Sequence, residues 1–309
     1  MNILLSIDWN FNPDLFKIGS FPIKYYSLMY VLGFVLGLQI MKRIFIKDNI
    51  SLDKLDPLFI YTIIAMLIGA RMGHYLFYET DYTWSEVFLP FKLNPFEYTG
   101  FRGLASHGAI IGITVAMYFY SKKVVKKPFL WTLDRMVIPS ALVSMLVRLG
   151  NLFNSEIVGK PTGNDSGFKF IRNDIPAYEA MSTTNAETPN EAYNLIANSP
   201  LYKNVLADVP NRYPTQIYEA MGYLVTFLVL WYLYQKTDKK HRTGYLFGVF
   251  MVMLWSIRFV VEFYKEWQGG IEEWVDISVK LNTGQFLSIP LVLIGLYFMF
   301  RKSKSSLKA

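Results

Sequence analysis

The sequence predicts an all-α, polytopic integral membrane protein with seven transmembrane helices, its N-terminus outside and its C-terminus in the cytoplasm. Three observations predict it. The 309 residues are 52% hydrophobic and 17% aromatic but only 18% charged, which is far more apolar surface than one soluble core of that length buries. Seven apolar stretches are long enough, or nearly so, to cross a hydrocarbon layer about 30 Å thick at about 1.5 Å per residue. The basic residues alternate from loop to loop, which sets the orientation by the positive-inside rule.

Residues 1–24, with Pro13, Pro22 and scattered Trp and Phe, read as an outward N-terminal arm at the membrane interface, where aromatic side chains are favoured. The first four spans are expected at about 25–41, 57–78, 104–120 and 129–150, with an acidic, aromatic loop at 79–103. They fall within a segment, 25–162, that also holds the loops and a signature motif described below. Residues 163–212 form a polar outer insert rich in Asn, Ser, Thr, Asp and Pro. It is too polar to span, and predicts a small subdomain or a mobile flap. The last three spans, at about 216–234, 244–264 and 286–300, occupy 213–309 together with a basic cytoplasmic tail.

The basic residues fall in four sets of four, sixteen of the 31 Lys and Arg: Lys42, Arg43, Lys47 and Lys54; Lys122, Lys123, Lys126 and Lys127; Lys236, Lys239, Lys240 and Arg242; Arg301, Lys302, Lys304 and Lys308. Each set follows an odd-numbered span. The N-terminus is therefore outside, as an odd number of spans ending in the cytoplasm requires. The net charge of +7 is concentrated on these loops, and no basic patch interleaved with a soluble motif points to nucleic acid. Residues 1–20 lack a basic, apolar and small-residue signal-peptide pattern, so the first span is expected to act as its own insertion signal. With no cysteine, the chain has neither disulfides nor a thiol nucleophile of its own. Small-xxx-small pairs at Gly33 and Gly37, Gly69 and Gly73, and Gly108 and Gly112 predict close helix packing.

An ionisable side chain inside a span costs about 2.5–3.5 kcal/mol at the centre, so its position is informative. On this topology Tyr26, His107, Gln216 and Glu219 lie near the outer starts of their spans, and Arg71, Arg148 and Arg258 in the outer parts of theirs. Asn151, Asn154 and Glu156 follow just beyond Arg148. Several spans thus bring polar groups to one level. Each residue also has a bland reading. Arg258 and Glu262, four apart, suit a buried structural pair; Arg148 suits a snorkelling arginine; His107 suits an ordinary interfacial polar residue. Arg71 and Glu219 suit packing and pairing, and Asp134 and Arg135 are expected to be structural. The functional reading is that guanidinium groups at headgroup level bind phosphate oxygens, and a histidine beside them moves protons near neutral pH.

The run Arg148-Leu149-Gly150-Asn151-Leu152-Phe153-Asn154-Ser155-Glu156-Ile157-Val158-Gly159 resembles the signature of the prolipoprotein diacylglyceryl transferases, Gly-Arg-x-Gly-Asn-Phe-hydrophobic-Asn-x-Glu-x-x-Gly. Val147 stands in place of its first Gly and Leu152 in place of its Phe. Further fragments match in order: 23–30 with Tyr26, Gly69 to Gly73 with Arg71, Arg102 to Gly108 with His107, Pro214 to Glu219, Arg258 to Phe263, and Gly284 to Pro290. Tyr213 replaces a family His and Leu254 a family Tyr, so no role is carried to either.

The resemblance implies transfer of the sn-1,2-diacylglyceryl group from phosphatidylglycerol to the lipobox cysteine thiol of a prolipoprotein signal peptide, releasing glycerol phosphate. It implies a bacterial inner membrane enzyme among membrane lipids, with its active site on the outer side and no metal or cofactor. His107 is the candidate base, and Arg148 and Arg258 the phosphate ligands. Tyr26, Asn151, Asn154, Glu156 and Glu262 are expected to bind or position substrate. A small-molecule transporter is the competing class, but such sites lie near midplane between repeats, and no repeat is visible. A retinal receptor needs a lysine that span seven lacks, and a serine protease cannot use the adjacent Ser106 and His107 together.

Overall fold

A computed structural model describes residues 6–19, 21–78, 91–93, 96–98, 105–266 and 281–302. Most of the expected loop at 79–103, residues 102–104 of the His107 motif, and Lys304 and Lys308 lie outside the described residues. The described chain is predominantly helical, with nine helices of more than one or two turns. These are α1 (Tyr25–Lys47), α2 (Leu55–Tyr78), α3 (Ser106–Tyr120), α4 (Phe129–Phe153), α5 (Ala177–Thr184), α6 (Pro189–Asn198), α7 (Thr215–Lys236), α8 (Tyr245–Val261) and α9 (Thr283–Phe300). Short strands accompany them: β1 (Ser6–Trp9), β2 (Asp14–Ile18), β3 (Phe21–Lys24), β4 (Phe91–Leu93), β5 (Phe96–Tyr98) and β6 (Gly167–Phe170).

Six helices are long and apolar enough to cross a membrane, corresponding to α1 to α4, α7 and α9. The stretch expected as the sixth span, 244–264, holds α8, an apolar helix of 17 residues that is shorter than those six. At about 1.5 Å per residue its length is about 25 Å, a turn short of the hydrocarbon thickness. The helix stops because Glu262 is its C-cap and the chain tightens there, Phe263 N–H donating to Val260 O and Tyr264 N–H to Val261 O.

The chain forms two compact units, one of residues 38–136 and one of residues 1–37 with 137–309. The first of these is built on the pairing of α2 with α3. Its glycines bring backbone onto backbone: a Cβ on Gly73 would lie 2.7 Å from Gly108 Cα, and one on Gly108 would collide with Gly69 O. Gly69 and Gly112 are equally blocked, which is what the spacing of these pairs predicts. Gly108→Ala should therefore force the helices apart and destabilise the protein by about 1–3 kcal/mol, read as a lowered thermal midpoint in detergent. Arg135, expected to be structural, forms a 2.8 Å ion pair with Asp48 and lies over the Trp131 ring.

The larger unit contains α7, α8 and α9, the N-terminal arm and the insert. Backbone also meets backbone between α8 and α9, where a Cβ on Gly248 would be 2.7 Å from Gly295 O. Gly33 and Gly37 are less constrained, facing Val143 and Pro139 of α4 at 3.3 Å or more. The insert is a folded subdomain, not a flap. Its apolar residues Ile171, Ile175, Ala180, Ala192, Tyr193, Ile196 and Val209 close a small core of their own. Thr188 caps α6 by accepting from Glu191 N–H, with Pro189 in the first turn.

The arm is fastened to this subdomain. Strand β1 pairs in parallel with β6, Ser6 opposite Gly167 through Trp9 opposite Phe170, and β2 and β3 form a hairpin. Trp9 Nε1 donates to Leu152 O at 3.0 Å, and Arg172 donates to Asn10 and Asn190. Arg212 ties the insert's end to its start through a fork onto Asp174 and a 3.1 Å bond to Gly159 O. The result anchors both ends of the loop that follows α4.

Candidate functional site

The signature segment begins in the last turns of α4. That helix ends in a Schellman closure: Ser155 N–H donates to Leu152 O and Glu156 N–H to Asn151 O. The closure needs a left-handed residue at 155, usually glycine; here Ser155 adopts it, with φ 54°. Ile157, two residues on, is also left-handed at φ 57°, a strained conformation for a β-branched side chain. The two reversals turn Glu156 outward, where its carboxylate accepts from Asn154 Nδ2. Side chains of α7 hold the loop in that shape: Gln216 Nε2 donates to Glu156 O at 2.7 Å, and Thr215 Oγ1 to Ile157 O at 2.9 Å.

Arg148 points into the unit. Its Nε lies 2.7 Å from Glu219 Oε2 and its Nη1 donates to Asn151 Oδ1 at 3.2 Å. The Glu219 side chain is 1% exposed and that of Arg148 14%, so this is a buried ion pair and the snorkelling alternative fails. Tyr223, one turn after Glu219, contacts both: its hydroxyl accepts from the Arg148 guanidinium and donates to Glu219 Oε1 at 3.4 Å. Tyr26 enters from α1, its hydroxyl 3.2 Å from that of Tyr30, within electrostatic reach of Arg148 and Glu156. Gly150 makes room for it, since a Cβ there would lie 2.8 Å from Tyr26 Cδ2.

The end of α8 supplies a second charged group. Arg258 and Glu262 do not form the pair that their spacing suggests. The Arg258 guanidinium lies over the Trp255 ring at 5.6 Å, while Glu262 has Lys265 at 3.8 Å. Glu262 is displaced because the first turn of α9 holds its carboxylate, packed where only Gly284 leaves space. Asn282, which caps α9 with Gln285, also donates to Glu262 O. Lys265 is buried, which pulls its ammonium below the usual lysine range; Glu219 and Glu262 oppose that shift, and Arg148 and Arg258 add to it. Lys265 thus lies within electrostatic reach of two guanidinium groups and two carboxylates, a cluster of three cations against two carboxylates.

The larger unit therefore brings together Tyr26, Arg148, Asn151, Asn154, Glu156, Arg258 and Glu262. His107 belongs to the other unit, in the first turn of α3, and Arg71 is buried there with its guanidinium over Tyr75 at 5.0 Å. Sequence reasoning left out Tyr223 and Lys265. Both were reachable by helical spacing, Tyr223 four residues after Glu219 and Lys265 three after Glu262. Among the described residues, Asn154 Oδ1, Ser155 Oγ, Gln216 Oε1, Arg258 Nε and Glu262 Oε2 are buried without a hydrogen-bond partner.

A profile described as prolipoprotein diacylglyceryl transferase matches residues 13–301. Three relatives named phosphatidylglycerol--prolipoprotein diacylglyceryl transferase align over nearly their whole length. The one from Bacteroides fragilis is 35% identical over 97% of this chain and 96% of its own. That from Porphyromonas gingivalis is 36% identical over 99% and 98%, and that from Chloroherpeton thalassium 34% over 97% and 96%.

Proposed function

Because the chain belongs to the prolipoprotein diacylglyceryl transferase family, we propose that it moves the sn-1,2-diacylglyceryl group of phosphatidylglycerol onto the lipobox cysteine of prolipoproteins. It is a multi-pass membrane transferase of the first step of lipoprotein maturation. A thioether forms, and glycerol phosphate leaves. The supporting observation is the concentration of unpartnered buried polar atoms around Arg258, Asn154, Ser155, Gln216 and Glu262. Each such atom costs about 1–3 kcal/mol unless a ligand satisfies it, and together they suit a polar headgroup.

Arg258, with no carboxylate at salt-bridge distance among the described residues, is the guanidinium best able to hold a phosphate bidentately. Arg148, already compensated by Glu219, orients Asn151 and supports the field. Asn154, Glu156 and Tyr26 position the glycerol end by hydrogen bonding. The attacking thiol has an ordinary pKa of about 8.5 and must lose its proton; His107 is assigned to accept it, because an imidazole nitrogen can take up and release a proton. The loop charges support a bacterial cytoplasmic membrane topology with N-terminus out, α8 serving as a short sixth span of seven and chemistry on the outer side.

The test incubates membranes containing the chain with phosphatidylglycerol and a lipobox peptide, then weighs the peptide by mass spectrometry. A diacylglyceryl mass increment, lost in His107→Ala, is expected. No increment from folded protein and a competent peptide would overturn the reading and favour transport.

A further inference from the structure

Lys265 follows α8, and no motif in the sequence singled it out. Its side chain is 4% exposed, more deeply buried than that of Arg148. The backbone around it is fastened to the signature loop. Lys265 forms a β-bridge with Gly159, Glu266 N–H donates to Val158 O at 3.1 Å, and Lys160 N–H donates to Tyr264 O at 2.8 Å. The residue is thus carried by the same loop that presents Asn154 and Glu156, at a fixed register.

Its ammonium is poorly matched. The Glu262 oxygen facing it is 3.8 Å away, beyond hydrogen-bond range, and that oxygen is itself buried without a hydrogen bond. Arg148, in contrast, has Glu219 at 2.7 Å. Arg258 and Lys265 are therefore the two cations of the cluster without a carboxylate at hydrogen-bond distance among the described residues. A buried ammonium is costly unless an anion meets it.

Resting on the transfer reading above, we propose that the Lys265 ammonium contacts the substrate phosphate and takes up the negative charge that develops on it during transfer. In that step the cysteine sulfur bonds to the sn-3 carbon of the diacylglyceryl group. The bond from that carbon to the phosphate oxygen breaks, and its electron pair leaves with the oxygen. The phosphodiester, singly charged, becomes a monoester with a second negative charge, while the thiol proton passes to a base. Lys265 stays protonated throughout and meets the new charge with N–H donors already in place. Arg258 holds the phosphate in both states; Lys265 acts mainly on the later one.

The experiment compares the parent chain, Lys265→Met and Lys265→Arg in the phosphatidylglycerol and peptide assay, with thermal unfolding of each. Lys265→Met is expected to lower kcat about 100-fold with a much smaller change in KM for the lipid, and Lys265→Arg to recover to within about 10-fold of the parent. A purely structural lysine would lower the unfolding midpoint and leave kcat per folded molecule unchanged, which overturns the proposal. A second measurement needs no variant: amine-modifying reagent on the full parent chain, with and without glycerol 1-phosphate. Modification should slow at Lys265 and not at the exposed Lys203; equal modification of Lys265 in both samples also overturns it. If the parent transfers nothing, the function reading itself fails and the role of Lys265 falls with it; where the parent transfers, a loss in the variants bears on Lys265 alone.

Discussion

Arg258→Gln is expected to lower the transfer rate by about 10²–10³ while changing stability by no more than about 1 kcal/mol. The separation follows from what the guanidinium touches. Its contact is the Trp255 ring, a stacking interaction of modest strength, and its Nε is buried without a hydrogen bond. Removing it leaves no buried carboxylate stranded, so the folded state loses little. A phosphate that depends on it loses a bidentate, charge-assisted contact in a site screened from water. Turnover assayed beside thermal unfolding in detergent decides the matter: parental turnover in the variant would remove Arg258 from the site.

Arg148→Ala should behave differently, losing stability as well as activity. Glu219 is 1% exposed and has Arg148 Nε at 2.7 Å, so the variant strands a buried carboxylate at a cost of about 3–5 kcal/mol. Adding Glu219→Gln to Arg148→Ala should recover most of that loss, because the neutral amide no longer needs a cation, and Tyr223 remains beside it. Activity is not expected to return with stability. If the single variant unfolds at the parental midpoint, the pair contributes nothing and Arg148 is held by its other contacts. The sequence alone, which reads Arg148 as a phosphate ligand, predicts loss of activity from a stable protein; the buried pair is what changes that expectation.

Much of the helical framework was legible because its causes are local. Apolar runs bounded by basic residues marked α1 to α4, α7 and α9, within three residues of the observed limits except at the end of α1, which continues six residues further, to Lys47. The glycine spacing at Gly69, Gly73, Gly108 and Gly112 announced backbone contact, since only glycine permits it and the spacing of four keeps one face. The signature run named Arg148, Asn151, Asn154 and Glu156 together. Its left-handed Ser155 and Ile157 were not legible, as neither residue type favours that conformation and both are held there by partners on α7 and by the Schellman closure.

Two further points that the sequence did not decide share one origin. The spacing of Arg258 and Glu262 predicts a pair, yet Glu262 turns to the start of α9 and to Lys265, because Gly284 leaves space for a carboxylate there. The insert's composition admitted either a flap or a subdomain, and the choice was made by seven scattered apolar residues that meet only when its helices fold back on each other. Composition and period thus determined by themselves that this is a membrane protein and where its long helices lie. Only the tertiary structure decided which charge meets which: Arg148 and Glu219 are 71 positions apart. Hydropathy and helical period act over a turn or a span, whereas an ion pair depends on distance in space and on how much water the surrounding helices exclude.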